Sequence, residues 1–194
     1  MSIVSLLNAL PGAVAQGLIW GIMAIGVYIT FRILDIADLT VDGTLCTGGA
    51  VCIMMMQSGH NVWVSLLVAL IAGLLAGMVT GLLHTFMGIP AILAGILTQL
   101  GLYSVNLKIM GKSNQAINVD KFDLLVSLRY IKNVPIYRNT ILLVAVIIVV
   151  LIAFLYWFFG TELGCSLRAT GCNDRMSRAQ GINTDFNRVL GLMI

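Results

Sequence analysis

From residue 43 to residue 107 the chain carries no Lys, Arg, Asp or Glu. A soluble domain cannot expose that much apolar chain. A hydrocarbon core about 30 Å thick takes roughly 20 apolar residues per helical crossing, so the stretch has room for about three crossings. Residues 1–31 and 139–161 are also free of charge. The composition agrees: 10% of residues are charged, against about 25% in an ordinary soluble domain. The sequence predicts a polytopic membrane protein whose few charges are its informative residues.

Spanning segments must be helices or closed-barrel strands, because lipid offers the backbone no hydrogen-bond partners. These runs are too long and too continuously apolar for barrel strands. The predicted fold is therefore all-α, a transmembrane helical bundle with broken or short helices, forming a single membrane domain over residues 1–194. The first helix is expected at 11–31, followed by a polar break at 32–42. A second segment, 43–56, is short for a full crossing, and 57–61 reads as a turn. A third helix spans 62–87. Gly88, Ile89 and Pro90 break the chain, and a fourth segment covers 91–110. Residues 111–138 are polar, 140–159 form a fifth helix, and 161–188 form a second long polar loop. A new apolar run starts at 189 and stops after Ile194, so the chain reads as the front part of a longer protein, ending inside a sixth spanning segment.

Small residues at four-residue spacing, Ala69, Gly73, Gly77 and Gly81, allow another helix to approach the third helix closely. Ala13, Gly17 and Gly21 repeat the device in the first, and intramolecular packing is the expected use of both stripes, with dimerisation the alternative. The charge-free start lacks the basic region of a secretory signal. The net charge of +3 is spread over loops and gives no case for nucleic acid. Cys46, Cys52, Cys165 and Cys172 form no C-x-x-C, and neither His60 nor His84 sits near a pair. They read as buried or incidental thiols, with no metal or cofactor implied. Basic residues near the spans do not orient the chain: 111–138 carries five and 161–188 carries four.

Three clusters could carry chemistry. Arg32, Asp35, Asp38, Thr40, Asp42 and Thr44 lie between two apolar segments. Non-helical backbone at membrane depth is tolerated only where it lines a cavity or is buried, and charges there usually mark a pathway. The cluster reads either as a broken helix on a substrate path, or as a surface loop with Arg32 paired to Asp35 and Asp42 capping the next helix. Thr98, Gln99, Tyr103, Ser104 and Asn106 form the second cluster, where Thr98 and Gln99 line the path or bond between helices. Gly111, Lys112 and Ser113 resemble the end of a phosphate loop, but position 106 is Asn rather than the required Gly. With no nucleotide site, no H-E-x-x-H and no nucleophile beside a base, the chain does not read as an enzyme.

The third cluster is the most specific: T-E-L-G-C-S-L-R-A-T-G-C-N-D-R-M-S-R-A-Q-G-I-N-T-D, from Thr161 to Asp185. Asn173 or Asp174 can cap a short helix, and Gly181 can end it in a left-handed conformation. The spacing puts Arg175 and Arg178 on one face, and Met176 and Ala179 on another. A short, stiff amphipathic helix between spans suits docking into a groove on a soluble partner.

At this loop the chain resembles the permease subunits of ABC importers of the branched-chain amino-acid type. The stretches G-V-Y-I-T-F-R-I-L-D-I-A-D-L-T-V-D-G-T and I-L-T-Q-L-G-L-Y-S-V-N-L-K-I-M-G also look like the family, within it a tryptophan or tyrosine-type subgroup. Such permeases are usually longer. The resemblance implies a multi-pass permease of the bacterial inner membrane, working as a dimer with a second permease copy. Its other implied partners are an ATP-binding subunit and an extracytoplasmic substrate-binding protein. Residues 161–188 become the cytoplasmic coupling loop, with Arg175, Met176, Arg178, Ala179 and Gly181 as the coupling residues. The expected substrate path is Asp38, Thr40, Asp42, Thr44, Thr98 and Gln99. The mechanism implied is alternating access driven by ATP. The alternatives are a stand-alone secondary transporter or channel using Asp35, Asp38 and Asp42, and a structural membrane subunit.

Overall fold

The computed structural model describes residues 3–114 and 134–194, and among these there is no strand. Eight helices appear: α1 (Ile3–Tyr28), α2 (Val41–Gln57), α3 (Val62–Thr85), α4 (Ala91–Met110), α5 (Val134–Phe159), α6 (Glu162–Cys172), α7 (Asp174–Ala179) and α8 (Thr184–Met193). A π-helical stretch, Ile29–Ile33, continues α1. Three helical stretches are long and apolar enough to cross a membrane: Leu10–Ile33, Val62–Thr85 and Ala91–Met110. A fourth appears when Val144–Phe159 is taken with the helix that follows it. The protein is a multi-pass membrane protein.

Most predicted elements are present, with shifted ends. α1 begins at Ile3 and carries Pro11 inside it, where the sequence reading had started the helix. A spanning helix tolerates proline because its neighbours re-satisfy the freed backbone group. The end of α1 loosens into the π stretch. There the Thr30 hydroxyl donates to the carbonyls of Gly26 (3.3 Å) and Val27 (3.1 Å), and Leu34 N reaches back five residues to Ile29 O at 3.1 Å. Asp35 then takes a left-handed conformation, φ 55°, uncommon for a side chain with a Cβ. The chain stays non-helical until Val41. α2 has 17 residues, about 25 Å at 1.5 Å per residue, short of a full crossing.

The largest departure lies in 161–188, expected as a loop holding one short helix. It is three helices in succession. Thr161 caps α6, its hydroxyl accepting from Gly164 N at 3.4 Å; Asn173 caps α7 and Asn183 caps α8, each Oδ1 accepting at 3.1 Å from Met176 N and Phe186 N. Residues 189–193 belong to α8, which begins five residues earlier, at Thr184.

The described residues form two compact units. One holds α1 as far as Ile25 together with α5 as far as Phe158, with Ala15 and Val144 buried. On α1 the small-residue stripe is open: Ala13 is exposed, and a Cβ at Gly17 or Gly21 would meet nothing within 4 Å. The expected intramolecular packing of that stripe is absent among the described residues.

The second unit holds α2, α3, α4, α6, α7 and α8. Its core is built from small and hydroxylated residues, including Ala50, Thr47, Ser65, Ala76, Ala94 and Thr98. Several of the hydroxyls donate to a carbonyl one turn back, as Thr47 does to Gly43 O (2.8 Å) and Ser65 to Asn61 O (3.1 Å). Small residues let helix backbones close up where lipid provides no hydrophobic drive. On α3 the stripe does pack within the chain. Gly77 touches the Leu192 carbonyl of α8, and a Cβ on Gly81 would lie 2.9 Å from Val189 Cα. Trp63, Leu67, Leu70 and Ile71 on the same helix are exposed, as a lipid-facing surface is.

Candidate functional site

Two features of the second unit concern function. The first is a cleft between α2 and α4. The non-helical residues before α2 run against Gly95 of α4, where a Cβ would sit 3.1 Å from Leu39 N and 3.5 Å from Asp38 Oδ1. Gly43, two residues into α2, meets Gln99 the same way: a Cβ there would lie 3.5 Å from Gln99 Cα. Gln99 stands eight residues after Ala91, so this contact lies about 12 Å along α4. Beside it opens a cleft of about 320 Å³, with Asp42 and Cys46 on one wall and Gln99, Tyr103 and Asn106 on the other. Both sets are helical neighbours, spaced by four on α2 and by four and three on α4.

The six residues expected on a substrate path divide. Asp42 and Gln99 line the cleft. The Asp38 carboxylate is engaged by its own turn, accepting from Thr40 N at 2.8 Å and Thr40 Oγ1 at 2.5 Å. Thr40 is 1% exposed. Thr44 donates to Val41 O at 3.0 Å, and buried Thr98 to Ala94 O at 2.9 Å. These four shape the walls rather than face the opening. The Arg32–Asp35 ion pair of the surface-loop alternative is absent, and the α2 cap, Thr40, makes no side-chain capping bond. Three of the cysteines are exposed and Cys52 is partly so, all free, so of the two readings, buried or incidental, burial does not describe them. Cys46 in particular faces the cleft. Its register four residues after Asp42 was the one signal that could have placed it there.

The second feature is the block formed by α6, α7 and α8. Asn187 of α8 donates through Nδ2 to Thr170 Oγ1 at 2.9 Å, and Ser166 donates to Asn187 Oδ1 at 3.4 Å. Arg178 of α7 reaches α8 twice: Nε donates to Thr184 Oγ1 at 2.7 Å and Nη2 to Asp185 Oδ1 at 2.6 Å. Asp174 lies 3.6 Å from Arg178 Nε and 3.3 Å from Arg188 Nη2. Three-residue spacing had put Arg175 and Arg178 on one outward face. Both are exposed, as are Met176 and Ala179, and Arg178 is in addition bonded to Thr184 and Asp185. Gly181, φ 85°, makes the turn toward α8. Leu163, Met176 and Phe186 add exposed apolar surface to this block.

The two features are joined. Leu34, 5% exposed, is held between two glycines of the block. Gly171 of α6 abuts the Ile33 carbonyl and Leu34 Cα, and Gly191 of α8 abuts the Leu34 side chain. Leu34 lies four residues before Asp38 and eight before Asp42, so the block sits on the segment that leads into the cleft. A second cavity, about 470 Å³, opens at this junction among Asp35, His84, Asn173, Asp174 and Arg188.

Residues 10–194 match the family described as the permease component of branched-chain amino-acid transport systems. The chain is 37% identical over 188 residues to the tyrosine transport system permease protein of Clostridioides difficile (strain R20291), covering 97% of this chain and 60% of that one. It is 37% identical over 190 residues to an uncharacterized protein of Rickettsia prowazekii (strain Madrid E), covering 97% and 64%. The chain thus spans less than two thirds of the length of either curated relative. No solved structure matches.

Proposed function

The chain belongs to the permease family of branched-chain amino-acid transport systems, and from that premise we propose that it is the membrane-spanning part of an ATP-driven importer for an amino acid. It works in the bacterial inner membrane, paired with a second permease copy, an ATP-binding subunit and an extracytoplasmic substrate-binding protein. An aromatic amino acid is the first solute to test, given the name of the Clostridioides difficile relative. The chain's role is translocation by alternating access.

The observation that carries this reading is the seating of Leu34 between Gly171 and Gly191. An importer needs a soluble-side element that feels the ATPase and a rigid connection from it to the solute path. The α6–α8 block has both properties. Arg175, Met176 and Ala179 form the docking face, and the bonds of Arg178 and the turn at Gly181 hold that face in position. Asp42 and Gln99 face the solute, and Asp38, Thr40, Thr44 and Thr98 fix the backbone around them. A stand-alone transporter would have no use for an exposed apolar docking face built on a tightly laced block.

Co-purification tests the docking face. Met176 is 60% exposed, and a carboxylate in its place must be desolvated without a partner on docking, a mechanism that costs several kcal/mol at an interface. In the full-length permease, Met176→Glu is expected to lose at least about tenfold in recovery of the co-expressed ATPase, a 1.4 kcal/mol effect, with normal insertion. Equal recovery and equal uptake of labelled tyrosine would remove the coupling assignment.

A further inference from the structure

Resting on the permease reading and deepening it, we infer that the α2–α4 cleft is a subsite for an organic ammonium group, with Asp42 as its counter-ion. Among the described residues that line the cleft, Asp42 is the single charged one, and none is Lys, Arg or His. Asp42 forms no ion pair among the described residues. It stands exposed in the first turn of α2, against a part of α4 that carries no charge before Lys108. A carboxylate among membrane-spanning helices pairs with a cation or marks a pathway for one. The N-terminal dipole of α2 favours the negative charge, but that effect is confined to the first turn and is partial.

The remaining lining has the complementary chemistry. An ammonium carries three N–H donors and no acceptor. The cleft offers the Asp42 carboxylate, the Gln99 amide oxygen and Asn106 Oδ1. The last of these has no hydrogen-bond partner and is itself covered, so a ligand reaches it only after the Asn106 side chain turns toward the cleft it lines. The Tyr103 ring, exposed in the same cleft, presents a π face that attracts cations and packs against an apolar group. The volume, about 320 Å³, falls at the lower end for small-molecule sites. Among the described residues of the lining, a free anion finds no donor cation.

Cys46 gives an in-place reporter, because it lines the cleft one turn from Asp42. The test uses the full-length permease in membrane vesicles with every cysteine but Cys46 replaced by serine, labelled with uncharged N-ethylmaleimide. Two probes of similar shape and opposite charge compete: phenethylamine and 3-phenylpropionate. At ten times its dissociation constant a bound probe slows labelling about tenfold by mass action. Phenethylamine is expected to protect Cys46 and 3-phenylpropionate is not. Protection, taken as the ratio of labelling rates with and without probe in each variant, should vanish in Asp42→Asn and return in Asp42→Glu, while the melting temperature in detergent, which reports an intact fold, stays at the native value. Protection by both probes alike, by neither, or undiminished in Asp42→Asn would overturn the assignment. The labelling needs neither ATPase nor binding protein. A failed ATPase co-purification beside successful protection therefore removes the importer reading and leaves the subsite, and the reverse result removes the subsite alone.

Discussion

Gly73 and Gly77 stand one turn apart on α3 and are read alike from sequence, as members of one small-residue stripe. The structure gives them different work. A Cβ on Gly77 would strike the Leu192 carbonyl of α8, whereas one on Gly73 would meet nothing within 4 Å. Gly77→Ala must push two helix backbones apart, an overpacking cost of about 1–3 kcal/mol. Gly73→Ala should be neutral or slightly stabilising, since alanine is the better helix former. Thermal unfolding in detergent checks the pair: the melting temperature falls for Gly77→Ala and holds or rises for Gly73→Ala, and equal effects would mean that α8 does not pack there. Spacing revealed the stripe because four-residue repeats define a helix face. It could not say which members meet a neighbour, because that depends on the backbone of an element distant in sequence. The path residues behave likewise. Asp42 and Gln99 reach the cleft, but Thr40 and Thr98 are equally polar in sequence and lie buried on local carbonyl and carboxylate acceptors.

At the scale of elements, the spans and α7 were legible, and α6 and α8 were not. α7 announced itself through Asn173 and Gly181, a cap and a left-handed stop whose chemistry is local. α6 is rich in glycine, threonine, serine and cysteine, weak helix formers that read as loop. Gly171 is the place where α6 rests on the Ile33 carbonyl, so tertiary contact selects the helix that propensity does not. The same block gives Arg178 a structural contact. Its guanidinium ties α7 to Thr184 and Asp185, so it holds α7 against α8. Half-exposed charge pairs contribute up to about 1 kcal/mol, so Arg178→Ala should raise local opening of α7 about fivefold. Hydrogen exchange of the α7 amides in detergent measures this. Faster exchange confined to α7 and the start of α8 is expected; an unchanged rate would mean that the caps alone hold the helix.

For the whole molecule, the central claim is that the α6–α8 block moves the segment bordering the cleft, through Leu34. That segment has features of a hinge: a π-helical end, a left-handed Asp35, and the turn in which Asp38 holds Thr40. The sequence marked residues 32–42 as a break at membrane depth, but gave no sign that its first half would be gripped by two glycines more than a hundred residues away. Leu34→Ala removes the gripped side chain, and Leu34→Met, a volume-conserving change that cores tolerate, keeps it. The decisive measurement is solute imported per ATP hydrolysed, with the full-length permease reconstituted in proteoliposomes beside its ATPase and binding protein. For Leu34→Ala the ATPase should still co-purify and hydrolyse, while import per ATP falls about tenfold, a 1.4 kcal/mol loss of coupling; Leu34→Met should retain the native ratio. A native ratio in a folded, ATPase-bound Leu34→Ala permease would contradict the account.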